Sequence, residues 1–359
     1  MPSKPDLNRL RLSALWLASC LLLLGCDRPA PVAQTQFPVF GTQVTLTAVA
    51  VSPEHAHPVF QAVEQRFHQL HRDWHAWAPK GQLYQINQAI AQGQSIQVPN
   101  TFKTFIEKTQ QLHRASHRLF DPGIGQLIAL WGFHQEDWHG PPPSQAALAA
   151  WLRQRPSIED ITFEGQRLSS RNTQVQLDFG GNAKGLALDQ AAQIFQAAGI
   201  DNAIINIGGD LRILGQKNPD KHQAWSIALQ SPKPPHAPMA HLQLQGDESI
   251  VTSGTYQRNY QWQGQRIHHI LDPNTARPTD YFTSVTVVHA DATTADTAAT
   301  ALMVAGPSQW AAVAQSMGIT QAFLLSPEGQ CFLTPGLEKR LTLAADTCQT
   351  LAVTQIPSE

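Results

Sequence analysis

A glycine-rich turn containing an acid and a lysine stands between a predicted strand and a predicted helix. The stretch 177–185 reads LDFGGNAKG. Glycine lets a backbone approach a ligand closely, and the free N–H groups at a helix N-terminus favour phosphate. The stretch matches neither the dinucleotide-binding glycine pattern nor a Walker phosphate loop. Taken alone, it is more typical of a tight structural turn than of a binding site.

A second candidate pairs an acid with a hydroxyl on a predicted helix. Asp296 and Thr300 are four residues apart, so a helix places both on one face. A carboxylate and a hydroxyl suit a hard cation such as Mg²⁺, which takes oxygen ligands. A helix cap with a surface hydroxyl explains the same pair, and in isolation that structural interpretation is favoured.

A third candidate is a histidine pair followed by a turn between two prolines. The stretch 268–278 reads HHILDPNTARP. Histidine is the usual proton carrier near neutral pH. Because the chain has 15 histidines, one alone means little, but the cluster with Asp272 and Arg277 carries more weight. Aromatic residues near 120 and 131 could stack on a flat ring, although such residues usually belong to a core.

The elements that must position these groups mix helices and strands, which predicts an α/β or α+β fold. Alternating apolar residues over 37–51 predict a strand after a Gly41-Thr42 turn, and three- and four-residue spacing predicts helices over 53–77 and 101–118. Ser144 is expected to cap a helix that runs to Arg155. We expect further strands at 175–179, 202–207, 225–230, 250–252 and 285–289, helices at 184–198, 294–305 and 308–317, and a hairpin around 327–329.

The N-terminus resembles an export signal. Basic residues precede an apolar run over 12–24, about half the length that a membrane span needs. The run ends in LLG before Cys26, similar to a bacterial lipobox, which predicts a signal peptide over 1–25 and lipidation of Cys26. An ordinary signal peptide or an uncleaved anchor is the alternative. Residues 26–36 are predicted to be a tether, and 37–359 a single domain.

The net charge and the cysteines indicate which partners and which cellular compartment to expect. The formal net charge of −2 gives no electrostatic reason to expect a nucleic-acid partner. Asp27 after the lipidated cysteine resembles an inner-membrane retention signal, so the expected location is the periplasmic side of the cell inner membrane. Cys331 and Cys348 remain in an oxidising compartment, where they form either a disulfide or two separate thiols.

Taken together and in this order, the segments resemble the ApbE family of FAD:protein FMN transferases. The resemblance runs from about Phe40 to Phe323. It is carried by Phe40-Gly41-Thr42, Asp73 with Ala76-Trp77, Phe120-Asp121-Pro122, Asp178 to Gly185, Asn206 to Asp210, Thr252-Ser253-Gly254, His269 to Pro278, and Ser284 to Val287 followed by Asp296 and Thr300.

The resemblance implies a fold and a reaction. The fold would be a single domain of T-fold-like mixed sheets packed with helices. The reaction would be Mg²⁺-dependent cleavage of FAD, attachment of FMN through a phosphoester to a Thr or Ser of a target protein, and release of AMP. Expected targets are flavoprotein subunits of Nqr- and Rnf-type membrane complexes, near which a lipid anchor would hold the enzyme.

The resemblance also implies a ligand set. The metal would be held by the carbonyl of Ala183, the carboxylate of Asp296 and the hydroxyl of Thr300, with His269 and Asp296 catalytic and His269 the base for the target hydroxyl. The FAD site would be lined by Phe40, Trp77, Leu119, Phe120, Asp121, Asp178, Gly180, Lys184, His269 and Leu271.

Two departures and two alternative functions accompany the resemblance. Ala299 stands where some members have a second aspartate, which puts a second Mg²⁺ in doubt, and Ala276 replaces a common glycine. One alternative is an FAD pyrophosphatase that gives FMN and AMP with water as acceptor. The other is a flavin-binding periplasmic lipoprotein without turnover, against which the Asp296 and Thr300 pair argues.

Overall fold

Nine strands form one large sheet around which the rest of the chain packs. A computed structural model describes residues 30–135, 137–138, 140–233 and 236–356. The sheet has the order β1-β2-β6-β7-β10-β15-β16-β17-β19. Its strands are Val32–Val39 (β1), Thr42–Val49 (β2), Ala203–Ile207 (β6), Asp210–Leu214 (β7), Glu248–Gly254 (β10), Ser284–His289 (β15), Ala322–Leu325 (β16), Gln330–Leu333 (β17) and Thr350–Val353 (β19).

Four smaller sheets and eight α-helices complete the described fold. The remaining strands are Ile96–Gln97 (β3), Ile161–Glu164 (β4), Arg167–Ser170 (β5), Trp225–Gln230 (β8), Pro238–Leu244 (β9), Asn259–Trp262 (β11), Gln265–His268 (β12), Leu271–Asp272 (β13), Arg277–Pro278 (β14) and Leu341–Leu343 (β18). The helices are Pro53–Asp73 (α1), Gln82–Ala91 (α2), Asn100–Ala115 (α3), Gly125–Leu130 (α4), Gln145–Gln154 (α5), Ala183–Ala197 (α6), Ala292–Ser316 (α7) and Pro335–Glu338 (α8). The mixed α/β class is therefore confirmed.

The first hairpin begins inside the segment predicted to be a tether. β1 pairs with β2 along its whole length, from Val32 opposite Val49 to Val39 opposite Thr42. The first five residues of β1 lie inside the segment predicted to be a tether, so the paired sheet begins earlier than residue 37. The strand predicted to follow a turn at Gly41-Thr42 is confirmed as β2, and residues 37–39 before the turn belong to β1.

Two chain reversals and the end of a third strand meet at one end of the large sheet. The β1–β2 turn lies beside the β6–β7 turn, because Val44 pairs with Ile207 and a β-carbon on Gly208 would lie 2.5 Å from Oγ1 of Thr42. The C-terminal end of β10 reaches the same region, since β10 runs antiparallel to β7. Lys184, which donates to Asp210, and Thr300, which contacts Ser253, lie near this end of the sheet.

Helices α6 and α7 cross at very close range. A β-carbon built on Gly185 would lie 2.5 Å from the carbonyl oxygen of Ala292, so only glycine fits there. The carboxylate of Asp189 on α6 accepts hydrogen bonds from the N–H groups of Ala292 (2.8 Å) and Thr293 (3.0 Å). A carboxylate at a helix N-terminus also interacts favourably with the helix dipole. These contacts fix where the first turns of α7 lie.

Several predicted elements are confirmed and one is wrong. Ser144 caps α5, and the predicted break between two late helices is the non-helical Gly306 (φ 66°) inside α7. The strand predicted over 175–179 does not form; this segment makes only an isolated bridge between Gln176 and Ile124. Its apolar residues are instead buried beneath α2 and α3.

The remaining sequence predictions concern the cysteine pair and the N-terminal segment. Cys331 and Cys348 form a disulfide. The predicted signal peptide and the lipidation site at Cys26 lie outside the described residues. Within the described part of the chain, no helix is both long and apolar enough to cross a membrane.

Candidate functional site

The glycine turn is shaped by the carboxylate of Asp178. Its Oδ1 accepts a hydrogen bond from the N–H of Gly180 (2.9 Å), and its Oδ2 accepts one from Nε1 of Trp77 (2.9 Å). The ring of Phe120 fills the space beside Gly181, because a β-carbon on Gly181 would lie 2.9 Å from that ring. The turn therefore brings together four residues predicted to contact FAD, namely Trp77, Phe120, Asp178 and Gly180.

Asp296 reaches the start of α6 from the first turns of α7. Its Oδ2 accepts a hydrogen bond from the N–H of Gly185 (2.9 Å), although the two residues are 111 positions apart in the chain. The pKa of Asp296 is raised to about 7, mainly by burial and also by the carboxylates of Asp210 and Asp189, while the ammonium of Lys184 opposes the rise. A buried carboxylate with a raised pKa is typical of functional sites.

Thr300 lies one helical turn beyond Asp296 and faces the same turn. Its Oγ1 is 3.2 Å from Oγ of Ser253 at the end of β10. A β-carbon on Gly181 would lie 3.8 Å from this hydroxyl. The structure therefore brings the glycine turn, Asp296 and Thr300 together, and Ala183 is the first residue of α6 between them.

Lys184 links the turn to the β6–β7 reversal. Its Nζ donates to Oδ2 of Asp210, the first residue of β7. Burial alone would lower the pKa of Lys184, but the carboxylates of Asp210 and Asp296 raise it above its ordinary value. Lys184 therefore stays a cation beside the turn, where it can interact with phosphate oxygens.

His269 is held in one tautomer by a backbone carbonyl. Its Nδ1 lies 3.0 Å from the carbonyl oxygen of Arg258, which can only accept, so Nδ1 carries the proton. The pKa of His269 is lowered to about 4, mainly by burial and also by the charges of Arg258, His268 and Lys184, while the hydrogen bond to the carbonyl of Arg258 opposes this. The ring is therefore neutral at physiological pH, and Nε2 is free to accept a proton.

The residues around Asp296 fit a hard cation. Across the described residues no three His, Cys, Asp or Glu side chains cluster as a metal site. The predicted set is of another kind, with one carboxylate, one hydroxyl and one backbone carbonyl, all of them oxygen donors of the type that Mg²⁺ takes. The raised pKa of Asp296 marks a buried carboxylate that a bound cation would stabilise in its charged form.

Four predicted FAD contacts have mainly packing roles in this structure. Phe40 packs on Phe67 and on the ring of His71. The Oδ1 of Asp121 accepts the N–H groups of Gly123 (2.8 Å) and Ile158 (2.9 Å), so its carboxylate holds a loop. The side chains of Leu119 and Leu271 pack into two apolar clusters.

The sequence prediction missed several residues that complete the site. Asp210 and Ser253 were noticed only as parts of turns, yet Asp210 pairs with Lys184 and Ser253 contacts Thr300. Arg258 was not singled out, although its carbonyl fixes His269. Phe133 packs against His269 and His134 packs against Trp77, with ring centroids 6.2 and 5.2 Å apart. Among these residues, only Asp210 has a signal in the sequence, since it is an acid that directly follows the Gly208-Gly209 reversal.

Comparison with known proteins gives a consistent result. A family model described as the ApbE family matches residues 40–324. An FAD:protein FMN transferase from Rhodobacter capsulatus is 37% identical over 333 residues, which cover 92% of this chain and 63% of that relative. One from Vibrio cholerae serotype O1 is 30% identical over 302 residues, covering 84% and 89%. The chain thus spans less than two thirds of the first relative and most of the second.

Solved structures agree with the sequence comparison. A flavin transferase ApbE from Vibrio cholerae superposes with a TM-score of 0.74 at 25% identity, covering 87% of this chain and all of that one. The ApbE protein of Thermotoga maritima superposes with a TM-score of 0.78 at 26% identity, covering 86% and 99%. The similarity therefore extends over nearly the whole of each solved chain.

Proposed function

The chain belongs to the ApbE family, and on this premise we propose that it is an FAD:protein FMN transferase. It cleaves FAD at the pyrophosphate, attaches FMN through a phosphoester to a Thr or Ser of a target protein, and releases AMP. The observation that carries the proposal is the meeting of the glycine turn, Asp296 and Thr300 at one end of the large sheet.

Each residue of the site has its own role in the proposed reaction. The hydroxyl oxygen of the target attacks the FMN phosphorus, the bond from that phosphorus to the bridging oxygen breaks, and AMP leaves with this oxygen. The hydroxyl proton passes to Nε2 of His269, because Nδ1 is engaged by Arg258. Lys184 and the N–H groups at the start of α6 offset the phosphate charge. Trp77, held by Asp178, offers a ring for stacking.

We propose that Mg²⁺ is the metal at this site. The carbonyl of Ala183, the carboxylate of Asp296 and the hydroxyl of Thr300 would hold it. A bound Mg²⁺ offsets negative charge that develops on phosphate oxygens. With Ala at position 299, we propose one ion rather than two.

We further propose a periplasmic, membrane-anchored setting. The basic residues, short apolar run and LLG before Cys26 support an export signal with lipidation, and Asp27 supports retention at the inner membrane. The Cys331–Cys348 disulfide is compatible with an oxidising compartment. Flavoprotein subunits of Nqr- or Rnf-type complexes would then be reachable targets.

A reconstituted transfer assay tests the activity. Purified mature protein is mixed with FAD, Mg²⁺ and a target domain that a known family member flavinylates. Covalent flavin on the target, detected by mass and fluorescence and lost in Asp296→Ala, is the expected result. Release of FMN and AMP without labelling would favour the pyrophosphatase. Unchanged FAD would favour a flavin-binding protein without turnover.

A further inference from the structure

A cavity with charged residues on its wall lies on the far side of Phe120 from the glycine turn. The ring of Phe120 contacts Gly181 in the turn, whereas its carbonyl accepts a hydrogen bond from Nδ1 of His113 (2.8 Å). His113 lines a cavity of about 250 Å³ together with residues from α5 and the loop that follows it. Asp121, a predicted FAD contact, lies on its wall, but none of the residues assigned above to the metal or to phosphate binding lines this cavity.

Two residues on the cavity wall each carry a buried nitrogen atom that has no partner among the described residues. These atoms are Nε2 of His113 and Nε1 of Trp151, on side chains of residues that are 2% and 5% exposed. A buried polar atom without a partner is costly and is uncommon in folded proteins. The indole N–H can only donate, and His113 can donate through Nε2 when it is protonated. Both nitrogens therefore suit an acceptor ligand.

Two arginines add positive charge to the same wall. Arg118 and Arg155 line the cavity, and within the described part of the chain neither guanidinium has a hydrogen bond or an ion pair. The two carboxylates on the wall are already engaged. Glu159 pairs with Arg114 (2.6 Å), and Asp121 accepts two backbone N–H groups and faces Nδ1 of His113 at 3.6 Å.

From this arrangement we propose that the cavity binds a phosphate group. Guanidinium groups recognise phosphate oxygens in a bidentate manner. The indole and imidazole nitrogens, each with less than 1 Å² of accessible surface here, would add donors once the ligand opens the buried end. A volume of about 250 Å³ corresponds to roughly eight water molecules and is below the usual range for larger ligands. The ligand is therefore small, either free phosphate or the phosphate end of a nucleotide such as AMP.

Isothermal titration of the full mature chain with inorganic phosphate, and separately with AMP, tests the proposal. We expect saturable binding that is weakened at least tenfold in Arg118→Ala and in Arg155→Ala. Arg153→Ala is the matched control, because Arg153 is exposed on the same helix as Trp151, carries the same charge and does not line the cavity. It should bind as the wild type does.

The outcomes separate the possible sources of the phosphate. Binding of inorganic phosphate with this variant pattern supports free phosphate as the ligand. Binding of AMP alone with the same pattern supports a nucleotide phosphate. Absence of binding by either ligand, or equal weakening by Arg153→Ala, overturns the proposal. Displacement of the ligand by FAD also overturns it, because the ligand would then occupy the proposed flavin site.

A spectroscopic readout tests the buried end of the site. The ¹⁵N resonance of Nε2 in His113 should shift toward the protonated value as ligand is added to the wild-type protein. An unchanged resonance at saturation would contradict the arrangement. Neither measurement depends on turnover, so failure of the proposed transfer reaction would leave this test intact.

Discussion

Two residues at the site, the buried Asp296 and the half-buried His269, are both shifted toward their neutral forms. Burial is the main cause in each case, raising the pKa of Asp296 to about 7 and lowering that of His269 to about 4. The consequences differ. A neutral His269 is ready to take a proton, whereas Asp296 becomes a full carboxylate only when a cation or a higher pH stabilises its charge.

The charge of Arg258 should control the acid side of the pH profile. His269 accepts a proton only when it is neutral, so activity is lost as pH falls through its pKa, about 4 in the wild type. Arg258→Gln removes a nearby positive charge, which raises this pKa. The acid limb of kcat/KM should therefore move to higher pH, by up to about one unit.

The measurement is the kcat/KM of flavin transfer between pH 4 and 8. Arg153→Gln, which removes an exposed positive charge elsewhere, should leave the limb in place. The carbonyl of residue 258 persists in Arg258→Gln, so the tautomer of His269 is kept. An acid limb that does not move in Arg258→Gln would show that His269 is not the titrating base.

Asp296→Asn should separate stability from activity. The folded-state pKa of about 7 lies above the ordinary value of 3.8, so the folded state holds the proton more tightly. Stability is then lost as pH rises from 3.8 through 7. Asparagine keeps the size and the acceptor for Gly185 but carries no charge. The metal-free variant should melt above the wild type at pH 8, and the difference should shrink toward pH 4.

The same variant should lose at least about 100-fold in turnover, because a metal ligand contributes several kcal/mol to phosphoryl transfer. Thermal unfolding with chelator present and the transfer assay with Mg²⁺ supply the two readouts. Asp220→Asn, which alters an exposed carboxylate, should change neither. If metal-free Asp296→Asn melted below the wild type at pH 8, the argument that burial of the charged Asp296 carboxylate costs stability would be contradicted.

At the scale of elements, the crossing of α6 and α7 sets the geometry of the site. Gly185 both leaves room for the backbone of Ala292 and donates its N–H to Asp296. Gly185→Ala should therefore force the helices apart, costing about 1–3 kcal/mol in unfolding free energy and lowering kcat. The measurements are urea unfolding and the transfer assay.

Gly180→Ala is the control for this substitution. A β-carbon there would meet only the side chain of Asp178, at 3.1 Å, so the stability cost should be smaller than for Gly185→Ala. Both glycines have negative φ, which excludes backbone strain as the difference. Equal stability losses in the two variants would show that the close crossing of α6 and α7 does not determine the stability cost.

The same elements show what a sequence can predict. Helix α6 and the strands β2 and β6 follow local periodicity, which the residues themselves carry. The segment 175–179 has the apolar residues of a strand, but no neighbouring strand pairs with it beyond one bridge. Strand formation depends on partners that are distant in sequence, so the pattern alone was insufficient there.

At the scale of the whole molecule, the site depends on contacts between distant segments. Trp77 and Asp178 are 101 residues apart, and Gly185 and Asp296 are 111 apart. Motif order allowed the resemblance to place these groups together. The backbone carbonyl of Arg258 and the packing of Phe133 carry no side-chain signature of their role, so only the folded chain identifies them.

The C-terminal edge of the large sheet should depend on the disulfide, whereas the site should not. Cys331 in β17 is bonded to Cys348, 17 residues on and just before β19. All four residues of β19 are exposed, and β19 pairs in parallel with β17 at the sheet edge. Closing a loop of this length stabilises a protein by about 3 kcal/mol. The double variant Cys331→Ala/Cys348→Ala should lose about 2–4 kcal/mol in urea unfolding.

Hydrogen exchange locates that loss. The amides of β19 should exchange faster in the double variant, while those of β10 and β15, which border the site, keep their protection. Transfer activity below the melting temperature should remain near the wild-type level, and wild-type protein treated with a reductant should reproduce these effects. Loss of activity in a folded double variant would mean that the edge and the site are coupled through the strands between them.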